Sequence, residues 1–202
     1  MDDNYIVTDS ISKAVFIDGF TTAEFLLAYS FVDPTITIPS ITINTAISTA
    51  TAFLSYYVRS EARANDHEYI GGIMGGFLKY YLRENLLNFI NKKETFTPIL
   101  FGQGIVGSGN NLMYETLNNA KLDPIGESSS MIALESLDSV FTNSIKGQNI
   151  YTGAAEGAIA GIICSFNVFY VYTPLVEYTH IFADTVAKMT EVKAFFSIDE
   201  FI

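Results

Sequence analysis

Apolar and polar positions fall in long blocks along this chain, and the blocks predict helices. Residues 11–32, "ISKAVFIDGFTTAEFLLAYSFV", are apolar but carry Lys13, Asp18 and Glu24. An acid at mid-bilayer costs about 3 kcal/mol, so this stretch predicts an amphipathic helix lying on a surface or against the rest of the protein. Asp33-Pro34 ends it. In residues 34–58 the opening "TITIPSITI" alternates like a strand, but Pro34 and Pro39 oppose a regular central one. From Ser40 the pattern turns helical. Ile43, Ala46, Ile47, Ala50, Leu54 and Tyr57 share one stripe, with Thr42, Thr45 and Thr49 elsewhere. Residues 40–58 would extend about 28 Å as a helix, close to a hydrocarbon core. Tyr56-Tyr57 and Arg59 supply an interfacial aromatic and a charged stop. In a soluble protein the same segment reads as a buried helix with a Ser/Thr face.

Polar residues 59–68 lead to a helix over 69–91, apolar at its start and amphipathic later. It carries two overlapping small-residue pairs, Gly71/Gly75 and Gly72/Gly76, which let another helix approach closely. Residues 96–113, "FTPILFGQGIVGSGNNLM", are again uncharged. Residues 114–150 are polar, with Asn118-Asn119, Pro124, Gly126 and Gly147, and predict loop and short amphipathic helix outside any membrane. Residues 157–176 are uncharged between Glu156 and Glu177 and make the best spanning candidate. The last residues, "KAFFSIDEFI", form an apolar-acidic peptide suited to a partner surface.

Within 96–113, Gly102-x-Gly104-x-x-Gly107 has the spacing of a dinucleotide-binding turn, and Asp123 stands where an acid would hold a ribose hydroxyl. The context is missing. The second strand would have to be "KLDPIGE", which contains Pro124 and Gly126, and no later segments complete a parallel sheet. A glycine-rich bend ending an apolar segment is the expected reading.

Other chemistry is sparse. His67 lies in the polar stretch "ARANDHEYI" and reads as a solvated side chain. Glu177, His180 and Asp184 share one helical face, a spacing able to bind metal or relay protons, though a solvated cap where a helix leaves a bilayer accounts for it more simply. Asp18 and Glu24 are open to the same two readings, an ion or proton site or a solvent-facing stripe. No cofactor or metal is called for.

A glycine ladder is more informative. Gly153, Gly157, Gly161 and Ser165 recur every fourth residue. Glycine costs about 1 kcal/mol against alanine inside a helix, which a close backbone seam in a membrane or tight bundle would offset. The ladder can pack against the Gly71–Gly76 helix or against a neighbouring subunit. In glycine spacing alone, these paired motifs resemble the inner-membrane protein translocase family.

Composition sharpens the picture. Hydrophobic residues make up 49% of the 202 and charged residues 16%, below the quarter usual for soluble domains, which points to a membrane or a very large interface. With 22 acids against 11 bases the net charge is -11, and no basic block is present, so a nucleic-acid partner is not expected. The single cysteine, Cys164, excludes an internal disulfide and reads as a small buried hydrophobe. "MDDNYIVTDS" is acidic where a secretory signal begins basic. The scarcity of Arg beside abundant Phe, Tyr, Ile, Asn and Lys fits AT-rich coding, as in many protists and large DNA viruses.

Together these readings predict an all-α, multi-pass membrane bundle held by glycine-faced helices. Residues 40–58 and 157–176 are its spans, and 69–91 and 96–113 are further spans or re-entrant pieces. It divides into an amphipathic segment 1–33, an apolar helical region 34–113, a polar extramembrane loop 114–150, and a spanning helix with acidic tail 151–202. Basic residues gather in 59–93, which the positive-inside tendency places on the cytoplasmic or equivalent side. The expected function is a non-enzymatic structural subunit, contacting lipid and other subunits. It would sit in an organellar membrane complex or in the internal membrane of a large virus particle, as a membrane-associated minor capsid protein. A small ion channel or transporter, and a soluble helical protein binding a nucleotide at Gly102–Gly107, are the alternatives.

Overall fold

The computed structural model describes residues 11–31 and 33–175, and no strand occurs among them. Helix α1 begins as a π-helical stretch, Ala14–Phe20, and continues as a regular helix, Thr21–Ser30. Helices α2 (Ile38–Ala64), α3 (Glu68–Ile90), α4 (Pro98–Ala120) and α5 (Pro124–Ile145) follow. Helix α6 (Ile150–Phe166) runs on into a second π-helical stretch, Asn167–Tyr172.

Local chemistry sets the starts. Thr37, Thr97 and Asp123 each accept a hydrogen bond from the backbone N–H three residues on, and each is followed within two residues by a proline whose missing N–H costs nothing there. Asn149 caps α6 through Tyr151 and Thr152 N–H groups. Lys121 ends α4 in the left-handed region, at φ 50°.

The helices form a ring. Each of α2 to α5 packs against the helices before and after it in sequence, and α1 closes the circle by packing on both α2 and α6. Two features differ from the sequence expectation. Residues 114–150 are not a loop: Asp123-Pro124 starts a 22-residue helix there, with a cap that overrides the local serine and glycine content. Likewise α2 does not stop at Arg59 but continues to Ala64: Arg59 turns inward to Glu115, and half-exposed Arg63, one turn on, reaches the same carboxylate. The all-helical class stands as expected. Among the described residues one helix, Ile150–Leu175, is long and apolar enough to cross a membrane. Helix α2, with 27 residues, is long enough, but its Ser and Thr residues leave it less apolar.

Polarity inside and outside the ring is inverted relative to a soluble bundle. Among the described residues the buried hydrophobic ones are Ala14, Ile47, Ala52, Leu100, Leu134 and Tyr172. The buried polar ones outnumber them and include Gln103, Asn110, Asn111, Glu115, Asp138 and Asn167. Meanwhile Ile43, Leu54 and Tyr57, members of the apolar stripe of α2, face outward, and the buried face of that helix is Ser48, Thr51, Ala52 and Ser55 together with one stripe residue, Ile47. The outward face of α6 likewise carries Ile159, Ile162 and Phe166.

Candidate functional site

Three glycine seams hold the ring together. The two overlapping pairs on α3 serve different neighbours. A Cβ on Gly75 would lie 2.9 Å from the Ser55 carbonyl oxygen, and one on Gly71 would collide with Ala62, so this pair faces α2. Gly72 abuts Glu115 and Asn111, and Gly76 abuts the Gly107 backbone, so this pair faces α4. The ladder on α6 packs on α5: Gly153 meets Ser139 and Asn143, Gly157 meets the Glu135 backbone, and Gly161 meets Ile132. Ser165 is buried on the same stripe. The ladder's partner is thus α5 and not the Gly71–Gly76 helix, because α5 immediately precedes α6 and a four-residue connection, 146–149, folds the two together.

Gly102, Gly104 and Gly107 are helical, not a bend. They sit within α4, where Gly104 faces the Phe77 ring and Gly107 the Tyr80 ring. Their backbone N–H groups are spent in the helix rather than presented to a phosphate.

With the helices drawn close, polar side chains meet inside the ring, and several join helices that are not neighbours. Arg59 of α2 reaches Glu115 of α4, Nη2 to Oε1 at 2.6 Å, and Arg63 Nη2 holds the other oxygen at 2.5 Å. Glu115 itself is 1% exposed, so its charge is compensated entirely by these guanidiniums. Lys79 of α3 forms an ion pair with Asp18 of α1. Tyr80 of α3 donates to Asp138 of α5 at 2.9 Å and accepts from Asn110 of α4 at 3.1 Å. Tyr114 donates to Glu135 at 3.0 Å. Asn167 closes the α1–α6 seam by donating to Thr21 and to Glu24, at 3.1 and 2.8 Å.

All of these groups but Glu115, Asn167 and Glu24 line two partly open cavities of about 270 and 250 Å³, which share Ile17, Asp18, Lys79, Glu135 and Cys164. The π-helical stretch places Asp18 here. The widened turn shifts the register of α1, a device that recurs at functional positions. Asp18 therefore faces the interior and not solvent, while Glu24 is half-buried and accepts from Asn167. Lys79, Glu115, Glu135 and Asp138 were not singled out from the sequence. The available signal was the isolated charge in a run of apolar and small residues, as in "GGFLKYY" and "IALESLDSV". Glu177, His180, Asp184 and the "KAFFSIDEFI" end lie outside the described residues. Among the described residues no three His, Cys, Asp or Glu side chains group closely enough to hold a metal ion.

No family model, no curated protein and no solved structure matches the chain.

Proposed function

We propose that the chain is a multi-pass membrane protein whose helical ring carries a small hydrophilic solute or ion through its polar interior. The observation that carries this reading is the inverted polarity. In water, burying Glu115, Asp138, Gln103 and Asn167 while exposing Ile38, Phe89, Ile125, Phe141 and Tyr170 runs against a driving force of about 25 cal/mol per Å² of apolar surface. In lipid the same arrangement is favoured: outward apolar side chains meet acyl chains, and inward polar groups such as Glu115 with Arg59 and Tyr80 with Asp138 pair away from them. Ionisable side chains inside a membrane bundle are costly, and they mark solute or ion pathways. An anchoring subunit needs the seams and the apolar exterior, but it has no use for the charged cavities.

Two cysteine variants in a Cys164→Ser background test the geometry. Thr22→Cys lines the 250 Å³ cavity, and Ile159→Cys stands on the outer face of α6. In membrane vesicles a charged thiol reagent is expected to modify the first and spare the second. Modification of Ile159→Cys instead would place the outer face in water and sink the membrane reading. Proteoliposomes holding only this protein then decide the role. Flux of a small hydrophilic solute or ion supports the conduit, and tight vesicles return the protein to the anchoring role.

A further inference from the structure

The 250 Å³ cavity is lined by four carboxylates, Asp18, Glu135, Asp138 and Glu156, against two cations, Lys79 and Arg83, a formal excess of two negative charges. Lys79 is committed to Asp18. Glu135 and Asp138 stand one turn apart on α5 and accept from tyrosine hydroxyls, which are neutral, so of the lining cations only Arg83 is left to offset them and Glu156. Asp138 is 9% exposed, and its Oδ1 has no partner among the described residues. The chain from Asn110 through Tyr80 to Asp138 ends in an unmet acceptor on both sides, since Asn110 Oδ1 is equally buried and unpartnered.

Unmet acceptors and excess negative charge in a place of low dielectric call for a cation. Cys164 apart, the donors that line the cavity are oxygen: carboxylates and the hydroxyls of Thr22, Ser48 and Ser139, brought together from α1, α2 and α5. Oxygen-only sites favour hard cations. The acids do not converge three at a time as a dedicated divalent site would need. We propose that this cavity binds a monovalent alkali cation between Glu135 and Asp138, with the Lys79–Asp18 pair in the same lining. The proposal rests on the conduit reading only in naming the species that the cavity accepts.

Thermal unfolding of the detergent-solubilised protein at fixed pH tests it, comparing NaCl and KCl with choline chloride at equal ionic strength. A saturable rise in Tm is expected in at least one alkali salt, about 5 °C or more at a hundred times the half-saturating concentration. Asp138→Asn and Glu135→Gln should each abolish the rise while melting no lower than the parent in choline, because each removes an uncompensated buried charge. Equal melting of the parent in all three salts would overturn the proposal, as would a rise that both variants retain. A Tm that answers to pH and not to alkali salt would show that protons meet the charge deficit, and would also overturn it. Cation-dependent stabilisation without flux keeps the site and removes the conduit; flux without stabilisation does the reverse.

Discussion

Gly76 and Gly107 meet backbone to backbone where α3 crosses α4: a Cβ on Gly107 would lie 2.6 Å from the Gly76 carbonyl oxygen. No side chain larger than hydrogen fits at this crossing. Every polar contact from α2 across to α4, including Arg59–Glu115 and Ser55–Asn111, depends on this approach.

Gly107→Leu and Gly157→Leu are therefore expected to lose at least about 1–3 kcal/mol and to impair folding, since both would push a side chain into backbone. Gly109 has nothing within 4 Å of the position its Cβ would take, so Gly109→Ala should be neutral or gain up to about 1 kcal/mol from helix propensity. Ile159→Leu, on the outer face, should also be silent. Detergent melting curves check all four, and a Gly157→Leu protein as stable as the parent would refute the α5–α6 seam.

The two arginines on Glu115 should not be equivalent. Arg59 is 13% exposed and Arg63 is 50% exposed. Glu115→Gln strands a buried guanidinium and is expected to cost about 3–5 kcal/mol. Arg63→Ala should cost about 1 kcal/mol or less, because water screens that partner. A loss from Arg63→Ala as large as that from Glu115→Gln would show that both guanidiniums are held in the dry interior.

Asn167 is the hinge pin of the ring's closure. Asn167→Leu removes both hydrogen bonds to α1 and leaves Glu24 without that donor. We expect amide-exchange protection to fall over residues 14–30 while α3 and α4 keep theirs. Uniform loss across all helices would mean that α1 does not open independently.

Asp33 gives a pH signature outside the helices. Thr35 donates to its Oδ1 from both hydroxyl and backbone N–H, at 2.7 and 2.9 Å, and these bonds hold its pKa below the usual carboxylate range. The turn is thus favoured above the unfolded-state pKa, and that contribution is lost as pH falls through the lower folded value. Thr35→Val should raise the Asp33 pKa toward the ordinary value in a carboxyl NMR titration. An unchanged titration would mean that the Thr35 hydroxyl does not act on it.

Much of the local structure was legible in the sequence. Thr37, Thr97 and Asp123 before their prolines carry helix starts through contacts only three residues long, a signal present in the sequence that the strand-like, glycine-bend and loop readings of those segments do not use. The glycine spacing marked which faces approach another helix, since the absence of a side chain is a property of the residue itself. Which helix approaches was decided by tertiary structure. Gly71 and Gly72 are adjacent in sequence yet serve opposite neighbours, and the ladder found α5 through chain order rather than through any feature of its own. Amphipathic patterning shows that two faces of a helix differ without saying which is inward. On α2 the apolar stripe was visible, but the polar residues set against it were Thr42, Thr45 and Thr49, while the buried face is Ile47, Ser48, Thr51, Ala52 and Ser55; which face turns inward depends on the surroundings, apolar inward in water and outward in lipid. The charged interior was hidden for the same reason: Asp18 and Lys79 lie 61 residues apart, and only closure of the ring turns two isolated charges into a pair.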